Sequence, residues 1–535
     1  MTRLALVTVA LLLAGCSALQ PDTTPDLYYH FDAQRGPDAM MLRATGDADG
    51  TTEFVLGVPY GANPTPHDAF TIRRVQAPGG EASFVRDGRR LTVTHPPGGF
   101  VEIDFSVDMP AGSNGGQGVD PDQPGWHFLG YHGLILPADA ETVYDVALIL
   151  QSPPEGWTFV SSVNGESTQA MLANASIMGG PLDVAVDQDE LEVALLGEWT
   201  FSAEDLARDV GPLIAAQGRL WGDQPGPFTV TLSGQPGLDG AGGYNLSGSG
   251  VRDGFAAWGT SNVPLDLLGS FLAHEVAHNW MPRRIGQPVG ARGEMYWFTE
   301  GMTEFLAQQA RVEAGRLDAD GLADVVNANL EELALSPVRT MPNARAAAVF
   351  WDDPDAERLP YLRGFLLATK WDAQLKEVGH GGLVQAFRDW AADGPHELNA
   401  AFVAGRLKAV GVTTAGDDIA RHIDAGQPIP PAAHWLGACY RTDAVPIRPY
   451  DVGFDVEATF ASGRVTGVNP DHNAFAAGLR DGMGFVGKVS GGGGARDVDM
   501  VLSVTEDAKT RAIAYRPLSV DTVPVAQFVP SGACD

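Results

Sequence analysis

The tightest constraint on this chain is His274-Glu275-Val276-Ala277-His278, followed downstream by Trp297-Phe298-Thr299-Glu300-Gly301. Two histidines four apart share one side of a helix, because 3.6 residues make a turn. Both imidazoles then reach a single metal ion. Glu275, one residue past the first histidine, can place its carboxylate beside a water on that ion. A catalytic zinc typically takes three protein ligands and keeps one position for water. Glu300, on the next helical stretch, is the third ligand. The fold therefore has to bring two helices together at one point, and the pattern implies one Zn2+ on His274, His278 and Glu300 with Glu275 as a hydrolytic base.

The flanking residues agree with two helices. Ser261 to Asp266 offers polar caps, Pro264 near the first turn and an early acid, which together start helices. Leu267, Phe271, His274 and His278 follow at helical spacing, and Met281-Pro282 ends the run. From Glu300 to about Val312 the period is again helical, with Met302, Phe305, Leu306 and Ala310 as a buried face.

A chain of 535 residues exceeds what one core serves, so several domains are expected. Its net charge of -32 excludes nucleic acid as a partner, since no basic stripe exists to neutralise phosphates. Arg3 followed by the apolar run Leu4 to Ala14 is too short to span a bilayer and reads as an export signal. The run ends in Leu13-Ala14-Gly15-Cys16, which resembles the bacterial lipoprotein signal. That resemblance implies cleavage before Cys16, a lipid on its sulfur, and membrane contact through that lipid alone. Ser17 in the next position favours the outer membrane, facing the periplasm. Export permits disulfides, and Cys439 and Cys534 are the pair left to form one.

Along the chain, residues 1–15 are the signal, and 16–26 form a polar tether. Residues 27–197 read as an N-terminal β-sandwich-like domain of short strands, such as Phe54 to Val58, Leu91 to Thr94 and Val146 to Leu150. Residues 198–435 form the zinc domain. It opens on a helix from Glu204 to about Trp221 and a strand from Phe228 to Leu232, and later carries helical stretches at Leu317 to Leu335 and Leu362 to Leu375. Residues 436–535 form a small domain with strands around Val465 to Val468 and Val501 to Val504. Ser247-Gly248-Ser249-Gly250 reads as a loop and lacks the complete motif of a serine hydrolase.

His274-Glu275-x-x-His278-x-Trp280 with Trp297 to Gly301 resembles the glycyl-aminopeptidase family of metallopeptidases. These are relatives of thermolysin and aminopeptidase N that end in a PDZ domain. The resemblance implies a multidomain α+β fold, with a thermolysin-like, mainly helical catalytic domain between the β domain and a PDZ-like domain. It carries the two histidine ligands, the Glu275 base and the Glu300 ligand onto this sequence. Tyr361-Leu362-Arg363-Gly364 resembles the family's Tyr-x-Lys-Gly, which assigns Tyr361 the substrate oxyanion. Glu304 resembles a carboxylate that orients a ligand histidine. By the same analogy, the backbone near Phe255 to Trp258 is an edge strand that aligns substrate.

The substrate-gripping stretch departs from the family. Relatives carry Gly-Gly-Leu-Glu-His, and the matching residues here are Gly242, Gly243, Tyr244 and Asn245, with Asn in place of the acid. Cleavage at the N-terminus and cleavage within the chain both remain open. Gly453-Phe454 and Ala474 to Gly482 resemble a PDZ domain, which implies a C-terminal peptide as a further ligand. The sequence thus implies a zinc metallopeptidase acting on peptides or proteins. The alternatives are another hydrolysis on the same metal and an envelope lipoprotein that mainly binds peptides or proteins.

Overall fold

The computed structural model describes residues 25–59, 65–109, 124–163, 165–187, 191–224, 226–235, 244–291, 293–492 and 494–532. The export signal, Cys16, Gly242, Gly243 and Cys534 lie outside them. Cys439 is disulfide-bonded.

The N-terminal region is β-rich. A six-stranded sheet runs in the order Gly165–Ser167, Tyr144–Gln151, Leu27–Asp32, Gly36–Thr45, Phe100–Val107, Phe70–Gln76. A four-stranded sheet orders Ser83–Asp87, Arg90–Thr94, Thr51–Leu56 and Ile135–Pro137. Strands such as Leu27–Asp32 and Phe100–Val107 alternate buried and half-buried residues, the period-2 signature of sheets with one covered face. Phe31, Leu42 and Phe105 from the first sheet join Phe54 and Val93 from the second in one core. Its helices are short, such as Gln169–Ala173.

The second core is built on a five-stranded sheet. Its strands are β1 (Asp183–Val186), β2 (Leu191–Leu196), β3 (Phe228–Gln235), β4 (Leu246–Val251) and β5 (Gly254–Thr260), in the order β1-β2-β3-β5-β4. Strands β2, β3 and β5 are parallel, and β4 returns antiparallel along β5. Helix α1 (Ala203–Trp221) crosses from β2 to β3. Ser202 and Asp205 cap it reciprocally, and Gly222 ends it with positive φ. Helices α2 (Leu265–Ala277), α3 (Tyr296–Glu313), α4 (Ala319–Leu335), α5 (Asn343–Val349) and α6 (Pro354–Glu377) follow. Helix α2 starts after Pro264 without a side-chain cap. Helix α6 begins upstream of the expected Leu362, where Asp353 caps it and Pro354 takes the first turn.

Two expected strands change place. The stretch Phe255 to Trp258 lies in β5, an interior strand between β3 and β4, so the edge strand on that side of the sheet is β4. Every residue of β5 is buried, as an apolar strand covered on both faces must be. The Ser-Gly-Ser-Gly segment expected as loop is part of β4. Residues 465–468 are not a strand either, with only an isolated bridge beside them between Arg464 and Gly484.

The C-terminal segment does not separate at residue 436. Tyr440–Ile447 and Val523–Pro530 pair antiparallel, and Tyr440, Val525 and Phe528 pack into the second core. Asn327 of α4 locks this ladder by bonding both the N–H and the C=O of Phe528 at 2.7 and 2.8 Å. Between those strands, a separate small core holds Val465, Leu479, Met483, Leu502 and Tyr515. A three-stranded sheet, Gly484–Ser490, Met500–Glu506 and Lys509–Tyr515, backs it. After Gly453-Phe454 the chain forms helix Val456–Ser462. Among the described residues, no strand follows Gly453-Phe454 directly, where strand-addition binding would use one.

Candidate metal centre

Three helices converge on one point, and two glycines let α3 and α6 cross closely there. Trp297 and Phe298 anchor α3 in the core, which turns Glu300 toward α2. A Cβ on Gly301 would strike Gly364 of α6, and a Cβ on Gly364 would land on the Trp297 carbonyl oxygen. This close crossing carries Tyr361, one turn before Gly364, to the rim of the cluster. Its ring lies 5.7 Å from that of His274, while the His274 and His278 rings are 4.9 Å apart and nearly perpendicular.

His274 Nε2 lies 3.5 Å and His278 Nε2 3.2 Å from the same Glu300 oxygen, Oε2. The opposite nitrogen of each ring is held. His274 Nδ1 faces Glu304 Oε2 at 3.0 Å, and His278 Nδ1 faces the Met281 carbonyl at 3.2 Å. Both partners only accept, so both Nδ1 atoms donate, and each Nε2 is turned toward Glu300. Two imidazole nitrogens and a carboxylate oxygen that close need positive charge among them, a proton in the metal-free cluster or a metal ion in its place. The three donor atoms lie within 4.8 Å of one another, and the set of two histidines and a glutamate is one that catalytic zinc takes. The residues present therefore fit a zinc ion.

Glu304 is fixed in turn. Its Oε1 accepts from Gln308 Nε2 at 2.7 Å, and Gln308 Oε1 accepts from Arg311 at 2.8 Å. Such outer bonds hold a ligand ring's orientation and raise its basicity. Titration follows the same contacts. Burial disfavours charge on His274, but the hydrogen bonds to Glu300 and Glu304 outweigh it and raise its pKa to about 10. Burial pushes the Glu300 carboxyl up, yet the charges and hydrogen bonds of His278 and His274 hold it far below the carboxylate range. Burial, then the charges of Glu300 and Glu275, push the Tyr361 hydroxyl well above its ordinary value. Tyr361 therefore keeps its proton as a donor.

A cavity of about 790 Å³ opens over this cluster, lined by Glu275, His278, Glu300 and Tyr361. Asn174 of the N-terminal region also reaches it. Tyr244 and Asn245 do not: both are exposed at the entry to β4 and line none of the cavity. From β4 the lining residues are Gly248, Ser249 and Gly250. A Cβ on Gly250 would come within 2.9 Å of His278 Cβ, so glycine lets the edge strand close onto the ligand helix. The sequence signal was the Ser-Gly alternation beside an apolar strand. An aromatic wall of Tyr296, Phe350 and Trp351 also went unread, because its members come from separate segments.

The chain matches no family model, and no curated protein matches it. Among solved structures it is similar to an aminopeptidase N family protein from Idiomarina loihiensis. That likeness has a TM-score of 0.65 at 13% identity, over 94% of this chain and 98% of that one. It is also similar to an M1 zinc metallopeptidase from Deinococcus radiodurans, with a TM-score of 0.48 at 15% identity over 76% and 94% of the two chains. A yeast LTA4 hydrolase gives 0.48 at 13% identity over 76% and 68%. The first likeness spans nearly the whole of both chains and establishes a shared fold, a β-rich N-terminal region followed by a helical part.

Proposed function

We propose that this chain is a zinc-dependent peptidase of the bacterial cell envelope. One observation carries the reading: both Nε2 atoms face one oxygen of Glu300 while both Nδ1 atoms are held from behind. His274, His278 and Glu300 would hold the ion. When bound, zinc lowers the pKa of a coordinated water to about 7 and polarises a carbonyl. Glu275, on the cavity wall beside the ligands, takes the attacking water's proton and passes it to the leaving amine. Tyr361 donates its retained proton as a hydrogen bond to the carbonyl oxygen as charge gathers there. Among the described residues β4 pairs only with β5, and its glycines leave backbone along which an extended peptide would lie.

Envelope placement rests on the run ending at Cys16. The pattern Ala474 to Gly482 supports a PDZ-like unit, whereas helix Val456–Ser462 speaks against a C-terminal peptide as its ligand. The test is metal content with activity. The purified mature protein should hold one equivalent of zinc and cleave a peptide mixture. A chelator should abolish cleavage, and added zinc should restore it. Absence of both zinc binding and cleavage would sink the proposal.

A further inference from the structure

The five-stranded sheet is a wall shared by two cores, and the alternation of its residues shows it. In β5, Phe255 and Ala257 pack into the second core, whereas Ala256 and Trp258 pack into the N-terminal one. In β3, Val230 and Leu232 face the second core. Residues two apart share a face of a strand, so Thr231 and Ser233 turn their hydroxyls the other way, toward the N-terminal region. Both are buried, and a buried hydroxyl without a partner is costly.

His127 is that partner. It sits in the N-terminal strand Trp126–Leu129 and is 1% exposed. Its Nδ1 lies 2.6 Å from Ser233 Oγ, and its Nε2 3.0 Å from both Thr231 Oγ1 and Ser176 Oγ. Ser176 Oγ and Thr231 Oγ1 are themselves 2.6 Å apart. The His127 ring also stacks on Trp258 of β5, with centroids 4.6 Å apart and planes inclined by 21°. Burial pushes its pKa down to about 3, so the ring stays neutral and offers one N–H and one lone pair to these hydroxyls. Apolar contact between the two cores is non-directional and tolerates sliding. A ring and three hydroxyls in hydrogen-bond geometry do not, so the cluster sets how the N-terminal region sits on the sheet.

The cleft over the metal ligands takes a wall from each side of this junction. Asn174 lines the cavity from the N-terminal region, two residues before Ser176. From the other side, Trp258 stands opposite Ser247 in the ladder of β5 with β4, and the next residues of β4, Gly248, Ser249 and Gly250, line the cavity.

We propose that His127 is a positioning residue for the hydrolysis: it fixes the gap between Asn174 and β4, and with it the grip on a peptide lying across the metal ligands. The proposal rests on the zinc-peptidase reading above. His274, Glu275 and Glu300 stand on α2 and α3, so loosening the junction weakens peptide binding and leaves the metal in place. A loss shared by the ground and transition states raises KM and spares kcat.

The test is His127→Phe, which keeps a ring to stack on Trp258 and removes both nitrogens. The zinc-loaded variant should retain one equivalent of zinc. For a peptide that the wild type cuts, its KM should rise about tenfold or more, with kcat within about threefold. A merely structural role would shrink the active fraction instead, and a lowered kcat at unchanged KM would overturn the proposal while the peptidase reading stands. Hydrogen exchange read by mass spectrometry reports the walls directly. Amides of β4 and of residues 172–176 should exchange at least about tenfold faster in the variant, with α2 and α3 at wild-type rates. Equal exchange at both walls would overturn the proposal. A zinc-loaded wild type that cleaves no peptide would overturn the peptidase reading and the proposal with it. If His127→Phe does not fold, Ser233→Ala removes one contact alone. It should raise KM about threefold, and wild-type KM and exchange there would overturn the assignment.

Discussion

Zinc binding should expel a proton, and the size of the effect follows from His274. Its pKa stands at about 10 in the metal-free cluster, because hydrogen bonds to Glu300 and Glu304 outweigh the burial that opposes its charge. At pH 7 the ring is therefore protonated, and the Nε2 that zinc needs is occupied. Three pH units separate pH 7 from that value, so displacing the proton costs the metal about 4 kcal/mol, roughly a thousandfold in apparent affinity. The sign is fixed: affinity rises about tenfold per pH unit from pH 7 toward 9, because deprotonation is part of binding. Calorimetry in buffers of differing ionisation enthalpy should report close to one proton released per zinc at pH 7.5. Competition with a chelator should give the slope. Zero protons released, with an affinity flat between pH 7 and 9, would refute the coupling. The same shift bears on metal-free folding. A raised histidine pKa stabilises the fold fully below pH 6.5, and that contribution is lost as pH rises through about 10.

Three substitutions probe separate parts of the site. Glu275→Gln should keep zinc yet lower kcat by about a hundred- to ten-thousandfold, and full turnover would remove Glu275 from the role of base. Tyr361→Phe should leave zinc content unchanged and lower kcat by about a hundred- to a thousandfold; equal kcat would show that the carbonyl oxygen is held elsewhere. Gly364→Ala drives a Cβ onto the Trp297 carbonyl oxygen, so α3 and α6 must part at a cost on the order of 1–3 kcal/mol. Its melting midpoint should fall and its activity with it, whereas a wild-type melt would mean that the crossing has slack.

What the sequence made legible is what depends on short range. His274 and His278 are one helical turn apart, so their convergence follows from helix geometry alone. The periods of α1, α3 and α4 were readable for the same reason, and the alternating N-terminal strands likewise. The edge strand was not readable, because Ser247 to Gly250 has no apolar face and becomes a strand only by pairing with β5. Tyr440–Ile447 escaped notice because its partner, Val523–Pro530, lies far along the chain. The aromatic wall takes Tyr296 from the first turn of α3 and its other two rings from just beyond α5. The pairing of His274 with His278 thus comes from local spacing, while Glu300 and the cavity wall come from contacts between distant segments. The proposed reaction type is therefore written more openly in the chain than any choice of substrate.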